Sequence, residues 1–354
     1  MSTKTPIDRG KWVITGGAGF IGCHAAARLH AAGHRVVLVD NLSRRGADAN
    51  LNWLQSQGVD QFIKADIRDA SAMKDVLARH ADADVVLHLA GQVAVTTSVA
   101  DPRADFEANA LGTFNVLEAV RTAAEGRPAV FYSSTNKVYG NLEHLEVALR
   151  DGRYAYADRP LGVDEDERLD FHSPYGCSKG AGDQYVRDYA RIYGLKTVVF
   201  RQSCIYGTRQ FGIEDQGWIA WFSIAATLGK QFTIFGDGKQ IRDALWVEDL
   251  IALYQRAWER IDVAQGEVFN VGGGPSNTLS LLELVTAIEG AVGHPLHPGF
   301  ADWRPGDQRV FVADIRKAKR LLDWSPEVST AIGIERLLQW VRDHRDLLKS
   351  AGLA

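Results

Sequence analysis

The chain has 354 residues, 46% hydrophobic and 24% charged, with a formal net charge of −4 at pH 7; that length suits one large α/β domain plus a smaller lobe. It holds no apolar run near the roughly 20 residues a bilayer crossing needs, and its negative balance gives no electrostatic reason to bind nucleic acid. Its three cysteines, Cys23, Cys177 and Cys204, are scattered and lack metal-ligand spacing, and the polar first ten residues are too short for a secretory apolar region, so a reducing cytoplasmic setting without membrane or metal is expected.

Trp12–Thr15 reads as a strand, and the turn from Gly16 to Gly22 leads into an Ala-rich helix that stops at Gly33. Further apolar runs follow at Val36–Asp40, Phe62–Ala65, Val85–Ala90, Ala129–Ser133 and Lys196–Arg201. Helical patterns separate them near Ser71–His80, Asn109–Ala124 and Tyr175–Tyr193. Strands joined through helices pair in parallel, and continuous apolar strands such as Val85–Leu89 suit a sheet covered on both faces. The expected fold is therefore α/β, a doubly wound parallel Rossmann sheet over residues 1–204. Beyond Ile205, stretches rich in Gly, Gln, Trp and Asp (Tyr206–Trp221, Phe235–Arg242, Gly272–Asn277, Pro298–Gln308) interrupt shorter helices. They are read as loops of a smaller, interleaved substrate-binding lobe formed by 205–245 and 276–354. Residues 246–275, with Glu248–Trp258 and Val268–Val271, are expected to return to the first domain.

Gly16, Gly19 and Gly22 follow a strand and open a helix, giving a tight turn, close backbone approach to a pyrophosphate and close helix–sheet packing. The helix N-terminus then meets the phosphate charge. Asp40 ends the second strand, placed to accept hydrogen bonds from both ribose hydroxyls and to repel a 2′-phosphate, which favours NAD over NADP. Arg44 and Arg45 bear the other way, since a nearby arginine accommodates that phosphate. Asp66 and Ile67 are expected at the end of the third strand over the adenine, and Leu89, Ala90 and Gly91 at the end of the fourth beside the nicotinamide.

Tyr175 and Lys179 stand four residues apart in a helical pattern and so share a face. A free tyrosine titrates near 10; a neighbouring ammonium and the positive nicotinamide ring favour its phenolate. Tyr175 then reads as general base and Lys179 as its electrostatic partner. Thr135, ending the fifth strand after Ser133 and Ser134, faces the ligand crevice and completes the set.

These residues resemble the extended short-chain dehydrogenase/reductase superfamily of nucleotide-sugar epimerases and dehydratases, from Trp12 to about Pro326. The 4,6-dehydratases carry Asp-Glu where this chain has Asn136-Lys137, and UDP-galactose 4-epimerases usually carry a lysine in the segment of Gln92-Val93. Closer resemblance is to the CDP-tyvelose epimerase group, carried by Asn41–Ala47, His88–Ala94 with Thr96–Ser98, Ser133–Gly140, Leu169–Gly180, Arg209–Phe211, Asp215–Trp218 and Asp307–Asp314. The resemblance implies NAD-dependent inversion at carbon 2 of a CDP-hexose through a 2-keto sugar. Another CDP-, GDP- or UDP-hexose epimerase or dehydratase is the alternative, and a non-catalytic NAD sensor a distant one. Expected cofactor contacts are Gly16, Gly19, Phe20, Ile21, Gly22, Asp40, Asn41, Ser43, Arg44, Asp66, Ile67, Leu89, Ala90, Gln92, Asn109, Ser133, Tyr175 and Lys179. Expected substrate contacts are Thr135, Asn136, Arg209, Gln216, Arg242, Arg304 and Asp307, the arginines suiting a diphosphate. Trp218 and Trp221 read either as a core stripe or as a sugar-stacking wall, and His88 and His172 as structural histidines. Relatives of this kind associate through helices after the fourth strand and at the catalytic tyrosine, which implies a homodimer or homotetramer.

Overall fold

The computed structural model describes residues 9–304 and 306–353. Residues 1–8, part of the segment read above as too short for a leader, lie outside the described residues, as does Pro305 between Arg304 and Gly306.

Seven strands form one parallel sheet: β1 (Lys11–Thr15), β2 (Arg35–Asp40), β3 (Phe62–Lys64), β4 (Val85–His88), β5 (Ala129–Thr135), β6 (Thr197–Gln202) and β7 (Val268–Val271). Their order across the sheet is β7-β6-β5-β4-β1-β2-β3, every pair parallel. The chain therefore starts in the middle, winds one way to β3 and returns through β4 to the other edge. Between β1 and β4 the winding reverses, which opens a crevice at the strands' carboxyl ends.

Alternation along the strands covers both faces. Trp12, Ile14, Leu38, Leu87, Phe131 and Phe200 face one apolar layer, while Val13, Val37, Val86, Val130 and Val199 face the other. The first layer is closed by α1 (Phe20–Ala31) and α2 (Ala47–Ser56), and the second by α3 (Ala70–Arg79), α4 (Gly112–Ala123) and α5 (Ser173–Tyr193). Helix 247–259 returns to the first layer through Leu250, Leu253 and Tyr254, and its Gln255 accepts from Arg28 of α1 at 2.8 Å.

A second apolar cluster is built from Tyr206, Ile219, Phe222, Ile234, Leu284, Ile288, Leu337 and Val341. Its sheet joins 204–206, 241–246, 278–280 and 310–311. Strand 241–246 bridges the two parts: Ile241 and Arg242 pair with Val310 and Phe311, while Ala244–Trp246 pair with Cys204–Tyr206 directly after β6.

Several boundaries differ from the sequence reading. The strand expected over Val85–Ala90 stops at His88, because Leu89 and Ala90 turn past Gly16, whose backbone they approach too closely for any side chain there. Asp66 and Ile67 lie beyond β3, which ends at Lys64; Asp66 instead closes a turn by accepting from the Arg68 backbone at 2.9 Å. The pattern at Asn109–Ala124 is only the end of a longer helical stretch that opens at Pro102 and widens into one π turn over Glu107–Leu111. Trp218–Trp221, read as loop, starts a helix over Trp218–Thr227. Its eight apolar and small residues hide the usual amphipathic period because nearly every side is buried.

One polar knot ties the sheet to α5. Arg201 of β6 and Asp183 of α5 pair in fork geometry at 2.9 and 3.0 Å, at 2% and 0% side-chain exposure. Ser134 donates to the same carboxylate at 2.8 Å. Arg201 also reaches the Tyr139 hydroxyl at 3.0 Å, which donates to Asn270 of β7 at 2.7 Å. A buried pair survives only when its remaining hydrogen-bonding capacity is met, and here those contacts hold the residue before Thr135 against the helix that carries Tyr175 and Lys179.

Candidate active site

The crevice at the strand ends is a cavity of about 580 Å³. The turn after β1 forms its floor. Gly16 takes φ +71°, and a side chain at Gly22 would collide with the Gly16 carbonyl. The α1 N-terminus is thus held against the sheet with its first amides facing the crevice, as a pyrophosphate requires. Asp40 is buried at the end of β2, accepting from Ala18 N–H at 3.0 Å and Leu42 N–H at 2.8 Å. Burial pushes its carboxyl above the ordinary value while those two amides draw it back. Asn41 donates to Asp66 at 2.9 Å, joining the β2 and β3 ends into one wall. Arg44 is committed across the crevice to Gln216. Its guanidinium therefore has a partner other than a ribose phosphate, in keeping with NAD rather than NADP.

Gly16, Gly19, Phe20, Ile21, Gly22, Asp40, Asn41, Ser43, Arg44, Asp66, Ile67, Leu89, Ala90, Gln92, Ser133, Tyr175 and Lys179 all line this cavity. Asn109 does not. It is buried behind the loop, its Oδ1 accepting from Gln92 N–H at 2.9 Å and its amide donating to Asp105 at 3.1 Å and Ser178 at 3.2 Å. Asn109 is corrected to a supporting residue, placed there by the π turn that carries it. Asp105 is the centre of that support. It is 1% exposed and also accepts from Gln92 Nε2 at 3.0 Å and Ser178 Oγ at 2.5 Å.

A second cavity of about 490 Å³ adjoins the first. Asn136, Gln216, Arg242, Arg304 and Asp307 line it, and Thr135, Tyr175, Ser203, Cys204, Gln216, Gly217 and Trp218 line both. Arg242 pairs with Asp307 at 2.7 Å. Arg304 pairs with Asp215 at 3.0 Å and lies over the Phe235 ring at 3.8 Å. Arg209, expected to touch substrate, lines neither cavity: its guanidinium stacks on Trp53 at 3.9 Å, outside the crevice. Trp218 forms part of the shared wall, whereas Trp221 packs on the second lobe's core. His88 is buried between the hydroxyls of Thr15 and Thr113 at 2.7 and 3.0 Å, and His172 lies 3.5 Å from Asp170 at the surface.

Tyr175 emerges from α5 at the junction of the cavities, and Lys179, one helical turn on, lines the first. Lys179 donates to the Ser133 carbonyl at 2.5 Å and lies over the Tyr132 ring at 4.4 Å. Burial pulls its amine down to about 7, against Asp183 and Asp105, which support the cation. Burial pushes the Tyr175 phenol up to about 12; the Thr135 hydroxyl and Arg44 lower it, and Asp105 raises it. Lys179 is not among the groups that shift the phenol. In the free protein, desolvation outweighs every charge near the hydroxyl.

Ser203 and Cys204 escaped the sequence reading as site residues, whereas Trp218 takes the wall position, one of its two readings. The first two directly follow the end of β6, where the strand-end rule points. Among the described residues no helix is long and apolar enough to cross a membrane, and no group of His, Cys, Asp and Glu could hold a metal ion.

A model of the NAD dependent epimerase/dehydratase family matches residues 12–272. The chain belongs to that family. It is 48% identical to a CDP-paratose 2-epimerase of Salmonella typhi, over 93% of this chain and 98% of that protein. It is 37% identical to a UDP-glucose 4-epimerase of Mycolicibacterium smegmatis, over 94% and 98%. Among solved structures it is similar to the UDP-glucose 4-epimerase of Thermus thermophilus in complex with NAD, with a TM-score of 0.78, 30% identity and coverage of 94% and 99%. NAD is the cofactor of this family, and the glycine turn and Asp40 fit it. In the bound state NAD supplies a carbon that accepts and returns hydride.

Replacing Asp40 by Ser should weaken NAD about 10- to 100-fold through loss of charged hydrogen bonds and narrow the preference over NADP. Fluorescence titration with both dinucleotides reads this; an unchanged NAD/NADP ratio would remove Asp40 from the ribose role.

Proposed function

We propose that this chain inverts carbon 2 of the hexose of a CDP-sugar, taking CDP-paratose to CDP-tyvelose through a transient 2-keto sugar. The observation that carries the reading is the junction of the two cavities at Thr135 and Tyr175. A hexose held there reaches the base from one side while the dinucleotide crevice opens on the other. Tyr175, as phenolate, takes the proton of the carbon-2 hydroxyl; Thr135 donates to or accepts from the same oxygen and holds its orientation. Lys179 supplies positive charge from below and fixes the Ser133 carbonyl at the strand end. Removing a hydride from carbon 2 and returning it to the opposite face leaves no net oxidation.

Three positions set this site apart from the dehydratases and the 4-epimerases. Asn136 and Lys137 stand where a carboxylic acid and a carboxylate would be needed to divide an elimination between them, and Gln92, in the segment where 4-epimerases usually carry a lysine, is a neutral amide tied into the Asp105 support. The choice of carbon 2 and of CDP is supported by the likeness to the Salmonella typhi relative.

Self-association is part of the same reading. Phe114 of α4 and Tyr185 of α5 stack edge to face at 5.7 Å, and Phe106 and Ile192 extend that face at 57% and 65% exposure. Unpaired, so much contiguous apolar surface is unusual for a monomer. Light scattering should give two or four chains; a single-chain mass would remove the association.

A CDP-hexose deuterated at carbon 2 should be epimerised with the label retained at carbon 2, because the same hydride leaves and returns. Tyr175→Phe should lower kcat by about 10²- to 10⁴-fold, the usual worth of a positioned base, with NAD still bound. NMR follows both. Washout of the label to solvent, or inversion at carbon 4 of a UDP- or GDP-hexose instead, contradicts the assignment.

A further inference from the structure

Three cations line the substrate cavity among the described residues: Lys137, Arg242 and Arg304. Two are already neutralised. Arg242 is held by Asp307 and the Ile241 carbonyl at 2.7 and 2.8 Å, and Arg304 by Asp215 at 3.0 Å. Lys137 differs. Among the described residues it makes no ion pair, and its recorded acceptor is the Gly306 carbonyl at 3.1 Å. An ammonium has three N–H donors, so two remain for a ligand.

Its place in the chain narrows the ligand. Lys137 lies two residues beyond Thr135, on the short helical turn Asn136–Tyr139, and lines the same cavity as Thr135 and Arg242. Carbon 2 of a hexose adjoins the anomeric carbon, so the sugar-linked phosphate follows within three bonds of the reacting centre. Reaction at carbon 4 would put that phosphate across the ring from Thr135. A cation that close along the chain to Thr135, in the same cavity, therefore meets the phosphate that carbon-2 chemistry brings there. We propose that Lys137 is the substrate-binding cation for the sugar-linked phosphate of the nucleotide sugar. This rests on the nucleotide-sugar reading above and deepens it.

The free protein already carries the consequence. Burial and Arg242 pull the Lys137 amine down to about 8, and Asp307 supports the cation. An arriving diphosphate supplies the counter-charge that a desolvated ammonium lacks.

The test is calorimetric titration of the NAD-loaded protein with CDP and with CMP, which lacks the second phosphate. Lys137→Gln should weaken CDP about 10- to 100-fold, the loss of one charged hydrogen bond, and leave CMP unchanged. Lys137→Arg should restore most of the CDP affinity. KM for the CDP-sugar should rise with CDP's loss, with kcat changed less. The unaltered protein gives a second measurement that needs no folded variant. Its CDP affinity should fall as pH rises through about 8, where the amine loses its proton, while CMP affinity holds. Equal weakening of CDP and CMP, or CDP binding indifferent to Lys137→Gln, overturns the assignment and leaves the nucleotide-sugar reading standing. Wild-type protein that binds neither nucleotide overturns both.

Discussion

A tyrosine hydroxyl buried at the meeting of two cavities is a poor base, and the rest of the site is organised around that difficulty. Desolvation pushes the Tyr175 phenol up to about 12 and pulls the Lys179 amine down to about 7, against Asp183 and Asp105, which support its charge, so the phenol keeps its proton when the crevice is empty of charge. Low dielectric cuts both ways. The same burial that suppresses the phenolate also makes any positive charge brought near it count for more than it would in water. A base built this way is silent without its cofactor and active with it, which suits a cycle in which hydride must be returned before anything leaves.

Holding that arrangement still takes two supports on opposite sides of α5. On one side the Arg201–Asp183 pair clamps Ser134, and with it the end of β5, to the helix. On the other, Asp105 gathers Gln92, Asn109 and Ser178, tying the loop after β4 to the residue beside Lys179. Both carboxylates also favour the charged lysine. Neither touches the cavity where the hexose would sit; each acts by fixing geometry and by setting the local field.

The sheet and cofactor turn were legible because their signals are local. A glycine that must avoid the Gly16 carbonyl, an acid at a strand end and a Tyr/Lys pair one helical turn apart can each be read from a few neighbouring letters. Trp12 and Val13 alternate into opposite layers, and both are buried because the sheet is covered twice; the sequence shows this as an unbroken apolar run. What escaped depends on distant contacts. Arg209 is expected at the substrate only through the resemblance carried by Arg209–Phe211, yet Trp53, far back in the chain, stacks on its guanidinium. Asn109 looked like a cofactor contact until a π turn placed it behind the loop. The phenol's titration in the free protein is not legible in the Tyr/Lys spacing, because burial by segments from the whole chain decides it.

The most direct measurement is the ultraviolet titration of Tyr175, taken as the difference between wild type and Tyr175→Phe, in protein stripped of dinucleotide and in protein loaded with NAD. Without NAD the tyrosinate signal should rise with a midpoint near 12. The fixed positive charge of the oxidised nicotinamide favours the anionic phenolate, so loading should move the midpoint down. Identical midpoints in the two forms would show that the cofactor's charge does not reach the hydroxyl, and Tyr175 could not then be the base.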